Sequence, residues 1–188
     1  MTEQNYEQLS DEDLALIIAE SKSSEYFEIL YNRYEKIIYH KCHSFSNSVD
    51  EAKDLTQDVF LMLFIKIHTF NRKSKFSSWL YSFTYNFCVN YVNRNNAKKI
   101  SNLSDSFKED YVGLPTEASD SSFLEVKIEK LQKALNIISP KDKSILLLKY
   151  QDYASIKELQ ELLEIKESSV KMRLKRARER ITIAYDNL

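Results

Sequence analysis

Apolar residues recur along this chain at intervals of three and four, and the register restarts wherever a serine precedes an acidic residue by three positions. Ser10 with Asp13, Ser48 with Glu51, Ser139 with Asp142 and Ser155 with Glu158 all have this capping-box spacing, in which a hydroxyl accepts free N–H groups of a new helix turn. The first mark leads into Leu14, Ile17 and Ile18. A second helix carries Phe27, Leu30, Tyr31, Tyr34 and Ile38 on one stripe. The third follows Ser48 through Ala52, Leu55, Val59, Leu63 and Ile67. Ser77 is expected to open a fourth, with Trp79, Leu80, Phe83, Phe87, Tyr91 and Val92 along it. Four such helices bury a common core as a compact bundle.

The pattern resumes near the C-terminus. Ser139-Pro140 supplies an N-cap followed by proline at the first helical position, and Ile145, Leu146, Leu148 and Tyr150 run down the helix it opens. Ser155 then starts a short helix through Leu163, with Leu159, Leu162 and Leu163 inward, and Glu164-Ile165-Lys166 makes a tight connection whose Ile165 plugs the corner. In the last helix Val170, Leu174, Ala177 and Ile181 share one face, while Ser168, Lys171, Met172, Lys175 and Glu179 fall on the other side. A short helix, a brief turn and a longer basic helix make helix-turn-helix arithmetic.

Composition agrees with an all-α fold. One glycine and two prolines in 188 residues leave no material for sheet turns or phosphate-cradling loops. Between the helical blocks, Asn95 to Ser122 holds that glycine, Gly113, with Pro115 and many Ser, Asn and Asp; its acids Asp105, Glu109, Asp110, Glu117 and Asp120 face only Lys108. The expected organisation is therefore a helical domain over 1–94, a flexible linker over 95–122 and a second helical domain over 123–188.

Charge singles out the last helix. Lys171 to Arg180 holds six cations against Glu179, net +5, in a chain that sums to −1. Such concentration suits one anionic partner, and long cations held from behind by an apolar stripe suit a DNA major groove. A solvated charged face would look similar. Cys42 and Cys88 lack paired spacing, which fits buried reduced thiols in a cytoplasmic protein. His40, Cys42 and His43 do not converge on one helix face, so no metal is expected, and no cofactor either. The acidic N-terminus is no signal peptide, and the apolar run Val59 to Ile65 is far too short for membrane insertion. No nucleophile and base stand near one another, which argues against an enzyme.

Phe70-Asn71-Arg72-Lys73-Ser74-Lys75-Phe76-Ser77-Ser78-Trp79 mixes cations, aromatics and hydroxyls, as single-strand nucleic-acid sites do. Aromatics beside helix ends also act as core staples. Asn86, Asn90, Asn93 and Arg94 add an amide-rich edge.

Together these blocks resemble the sigma-70 family of RNA polymerase sigma factors, of the small two-domain extracytoplasmic function (ECF) type. Asp50 to Leu61, Phe70 to Tyr81 and Asn86 resemble its region two; Ile138-Ser139-Pro140, Leu146 to Tyr150 and Val170 to Arg178 resemble its region four. The resemblance implies a protein that binds core RNA polymerase and directs promoter recognition, DNA melting and transcription initiation. Asp54, Gln57, Asp58 and Leu61 match positions that grip a coiled coil of core polymerase. Phe70, Lys73, Ser74, Phe76, Trp79 and Asn86 match the site that captures a flipped base of the minus-ten element in melted promoter DNA. The helix from Ser168 matches the reader of the duplex minus-thirty-five element: Lys171, Met172, Lys175 and Arg176 at base edges, Arg173 and Arg178 at phosphates. An anti-sigma partner is typical of the family.

The chain departs from the family at three places. Glu164 stands where a glycine usually takes a left-handed backbone, Gln160 where a small residue lets helices approach, and Lys166 at the N-cap. Two other readings explain part of the sequence. A helix-turn-helix regulator that binds duplex DNA without polymerase leaves the Arg72 to Trp79 loop unexplained, and a helical interaction module with an acidic partner predicts no promoter preference.

Overall fold

The computed structural model describes residues 8–102 and 123–188. Among them every regular element is helical: α1 (Asp11–Ser21), α2 (Ser24–His43), α3 (Val49–Lys66), a 3-10 turn at Ile67–Thr69, α4 (Phe76–Asn102), α5 (Phe123–Ile137), α6 (Pro140–Leu146), a π turn at Leu147–Gln151, α7 (Ile156–Leu163) and α8 (Glu167–Asp186). Of the expected linker, 95–102 continue α4 and 103–122 lie outside the described residues.

The four serines act as the spacing requires. Ser10, Ser48, Ser139 and Ser155 each accept the N–H three residues on, at 3.1 Å. Only Ser155 completes the reciprocal box, with Glu158 accepting its N–H at 2.9 Å. Glu51 reaches one residue further back and accepts the Asn47 N–H instead, at 2.5 Å.

In the N-terminal half, Leu14 and Ile18 of α1, Leu30, Ile38 and Cys42 of α2, and Leu55, Val59 and Leu63 of α3 meet as a core. α4 departs from the expected pattern. Its fully buried apolar positions are Phe76, Leu80, Tyr85, Cys88 and Val89, whereas Trp79, Phe83, Phe87, Tyr91 and Val92 are half-buried. The reason is that α4 packs against α1, α2 and α3 on one side and α6 and α7 on the other. A helix covered on two sides cannot show one apolar stripe, and hydroxyls of Ser78, Ser82 and Thr84 are buried with it.

In the C-terminal half, Ala134, Ile138, Ile145, Leu146, Leu148, Leu159, Val170, Leu174 and Ala177 are buried and continue the same core. Tyr150 is a correction: it is half exposed, at 52%. The π turn that interrupts the helix after Leu146 changes its angular register, so a side chain expected inward rotates out. The same turn ends at Asp152, followed by Tyr153 in the left-handed region at φ 57°.

That irregular backbone aims Asp152 at the other half. Its Oδ1 lies 2.5 Å from Lys41 Nζ on α2, and the two side chains are only 7% and 3% exposed. Lys41 also donates to the Tyr85 hydroxyl at 3.1 Å and sits 4.0 Å from the Tyr81 ring centre. Desolvation lowers the Lys41 pKa, and the bond and charge of Asp152 oppose that shift. Asp152 Oδ2 is buried with no hydrogen-bond partner. Nearby, Lys143 donates to the Ser44 carbonyl and to Asn136 Oδ1, 2.7 Å away, and burial lowers its pKa to about 8. Ser78 donates to Glu158 Oε1 at 3.0 Å.

The halves are thus sealed partly by charge. Buried ions lose hydration that separation would return, so such a seal is easier to reopen than an apolar one of equal area. Asp152→Ala would strand Lys41 and should part the halves. Small-angle scattering should show a radius of gyration above the roughly 16 Å of a compact chain this long. The double variant Lys41→Met with Asp152→Leu, similar in volume and uncharged, should restore the compact value. An unchanged radius in Asp152→Ala would contradict this account.

Candidate nucleic-acid interface

α8 presents the chain's densest charge because its back is fully engaged. Val170, Leu174 and Ala177 are buried, while Ser168, Lys171, Met172, Arg173, Lys175, Arg176 and Arg178 are all exposed, as the sequence pattern requires. Ile181 is half-buried at the end of the stripe. Lys171 pairs with Glu167 and Lys175 lies 3.9 Å from Glu179. Exposed pairs of this kind are worth only a few tenths of a kcal/mol and exchange readily for phosphates. Farther along, Arg180 is bound to Asp142 of α6 at 2.6 Å, which ties the helix to its domain instead of leaving that cation free.

The corner that aims α8 forms without glycine. Glu164 takes φ 53° and ψ 40°, the left-handed geometry expected there, at a cost of about 1–2 kcal/mol for a side chain with a Cβ. Its N–H and that of Ile165 both reach the Gln160 carbonyl, the latter at 3.3 Å, and Ile165 packs on the core. Lys166 is the N-cap and contributes no side-chain bond. Its carbonyl accepts the Ser169 and Val170 N–H groups at 2.9 and 3.1 Å, and Glu167 places a negative charge in the first turn.

The second surface is the loop between the 3-10 turn and α4. Phe70 and Phe76 are 5% and 0% exposed, with their rings edge to face at 5.3 Å. Both were expected at the base-capture site; their rings face the core and are not accessible for stacking. They staple the loop at its two ends. Trp79 is half-buried, 5.4 Å from Phe70 and stacked on Phe83 at 5.6 Å. Lys73 is exposed and Ser74 half exposed, joined by exposed Asn71, Arg72 and Lys75. The Lys73 N–H donates to Asn71 Oδ1 at 3.2 Å, and Arg72 is left-handed at φ 59°. Asn86, Asn90, Asn93 and Arg94 are exposed along α4. Asn86 lies ten residues beyond Phe76, about 15 Å along the axis.

A third surface lies on α3. Asp54, Gln57, Asp58 and Leu61 are all exposed at helical spacing. Ile65, one turn on and 51% exposed, extends that face although it was not among the expected residues. Two further groups escaped the sequence reading. Glu158, the capping acid of α7, also binds Ser78 in the first turn of α4. Burial pushes its carboxyl up, but the Ser155 N–H, the Ser155 and Ser78 hydroxyls and Lys75 outweigh this and hold it below the usual range. Glu12 reaches the start of α4 itself, where Ser77 had been expected to cap; nothing local in the sequence marks that contact.

Comparison with known proteins agrees with both halves. The sigma-70 region 2 profile matches residues 30–98, and the sigma-70 region 4 profile matches residues 128–181. The chain is 26% identical over 159 residues to the ECF RNA polymerase sigma factor SigW of Bacillus subtilis (strain 168), covering 81% of this chain and 85% of that protein. It is 29% identical over 159 residues to SigM of the same organism, covering 84% and 93%. Among solved structures, RpoE of Bartonella quintana, crystallised with the anti-sigma factor NepR, superposes with a TM-score of 0.62 at 21% identity, covering 85% of this chain and 96% of that one. CnrH, in complex with the cytosolic domain of CnrY, gives 0.61 at 16% identity over 94% and 97%.

Proposed function

The chain belongs to the sigma-70 family as an ECF sigma factor, which directs promoter recognition with core RNA polymerase, and we propose a division of that work among its three exposed surfaces. α8 reads the minus-thirty-five duplex, with Lys171, Met172, Lys175 and Arg176 at base edges, Arg173 and Arg178 at phosphates, and Ser168 at the helix start. The loop before α4 handles the minus-ten strand through Lys73, Ser74 and the edge of Trp79, with Asn86 farther along the helix. Asp54, Gln57, Asp58 and Leu61 on α3 dock core polymerase. The observation that carries this reading is the exposed cationic face of α8, held from behind by Val170, Leu174 and Ala177. Members of this family are generally not enzymes. No helix among the described residues is long and apolar enough to cross a membrane.

The domains follow the same division: 1–94 for polymerase and the minus-ten element, 123–188 for the minus-thirty-five element, and a tether between them. Elements some 25 base pairs apart lie about 85 Å from one another on duplex DNA. A closed body of this length is only about 40 Å across. The halves must therefore part at the Lys41–Asp152 seam to occupy both elements together. Twenty residues separate Asn102 from Phe123, enough to span at most about 70 Å. Since RpoE and CnrH were each solved with a partner bound, this reading also includes an anti-sigma partner that holds the chain away from polymerase.

The direct test is run-off transcription from genomic fragments with purified core polymerase, with and without this protein. Promoter-specific products should appear only with it; no gain at any promoter would sink the proposal. The division of labour on α8 has its own signature. Arg173→Ala should weaken binding about equally on all promoters and reduce the salt dependence, whereas Lys175→Ala should change promoter ranking by about 1–3 kcal/mol. Equal losses for both variants on matched and mismatched promoters would remove the distinction.

A further inference from the structure

We propose that the acidic first turn of α1 is the positioning element of the minus-ten loop: Glu12 and Asp13 hold the loop in shape without touching DNA. The inference rests on the reading of that loop given above and adds residues upstream of the matched region 2, which begins at residue 30.

The loop's own sequence cannot fix its two ends. Lys75 precedes α4 and has no side-chain acceptor for the free N–H groups of the first turn. Glu12 supplies one from 64 residues away, its Oε1 accepting the Phe76 N–H at 2.8 Å. Arg72 has a left-handed backbone without being glycine, a conformation that persists only where surrounding contacts impose it. Its Nη2 lies 2.5 Å from Asp13 Oδ1. The other oxygen of Asp13 takes the Ser10 hydroxyl at 2.6 Å, so both lobes are committed and the carboxylate is oriented.

The brace is itself anchored. Asp11, next in line, accepts from Arg33 at 2.6 Å and from the Tyr34 hydroxyl at 2.5 Å, both on α2, and Arg33 also holds the Leu9 carbonyl at 2.9 Å. Three consecutive acids therefore do three jobs: one fastens α1 to the bundle, one caps α4 and one pins Arg72. Carboxylates beside a nucleic-acid strand would repel its phosphates if left free. Here their charge is turned toward a helix N-terminus and a guanidinium, which leaves Lys73 and Ser74 to face outward. Ordering the loop before binding removes an entropic cost from capture of an unstacked base.

The test uses the full chain assembled with core polymerase. The probes are a fluorescent single-stranded DNA pool randomised over a short window, and a duplex carrying the minus-thirty-five element alone. Glu12→Ala should weaken single-strand binding by at least about tenfold, with duplex and core binding unchanged. Glu12→Gln should recover most of the loss, because its amide oxygen still accepts the Phe76 N–H. Asp13→Ala and Arg72→Ala should each weaken single-strand binding, and their double variant no further. Wild-type affinity in Glu12→Ala, or equal loss of all three binding activities, would overturn the proposal. If the wild-type holoenzyme failed to bind the single-stranded pool, the reading of the loop would fall, and hydrogen exchange would still judge the brace. Glu12→Ala should expose the Phe76 amide and Glu12→Gln should protect it; equal protection in both would refute the brace.

Discussion

Lys41 and Asp152 meet at 2.5 Å with almost no exposed surface, and the relation between the two halves of this protein turns on that contact. An ion pair taken out of water recovers its lost hydration only through good geometry and further hydrogen bonds. Lys41 is well provided for, with Asp152, the Tyr85 hydroxyl and the Tyr81 ring around it. Asp152 also bears on the Tyr85 hydroxyl, whose pKa is raised first by burial and then by that carboxylate. Because part of the closure is ionic, the hydration regained on separation offsets part of what closing gains. That is a sensible property for two halves that close on one another yet must occupy separate stretches of promoter.

The seam also links the two surfaces proposed to handle DNA. Glu158 completes the cap of α7 and binds Ser78 at the start of α4, so the helix before the recognition helix and the helix after the strand-handling loop share a carboxylate. In the closed form α7 lies against the helix that carries the loop. The apolar core runs continuously through both halves, with α6, the π turn and α7 packed on α4, so parting the seam also uncovers apolar surface between them.

Much of this was legible in the sequence because much of it is local. The serine-acid spacings located four helix starts, since a hydroxyl reaching an amide three residues on needs nothing from the rest of the fold. The spacing of Val170, Leu174 and Ala177 settled which side of α8 faces water. The left-handed Glu164 followed from helix-turn-helix geometry even though its residue type is wrong for it. The misses have one physical cause, dependence on distant chain. Glu12 caps α4 from 64 residues away, Asp152 finds Lys41 from 111 away, and the π turn that moves Tyr150 outward serves that second contact. The burial of Phe70 and Phe76 was hidden for a related reason: aromatics beside a cationic loop suit a stacking platform or a core staple equally well, and only the packed bundle shows their rings turned to the core.

The central claim is that one chain carries two DNA-reading modules, closed at rest and parted on a promoter. It is tested most directly by a distance. Cys42 and Cys88 are buried, so cysteines introduced at exposed Lys36 on α2 and Asp186 on α8 can take spin labels selectively. Pulsed dipolar spectroscopy should give a narrow distribution below about 40 Å in the free protein. With core polymerase on promoter DNA it should move well beyond that, toward the spacing of about 85 Å between the two elements. An unchanged short distance in a transcriptionally competent complex would contradict the account.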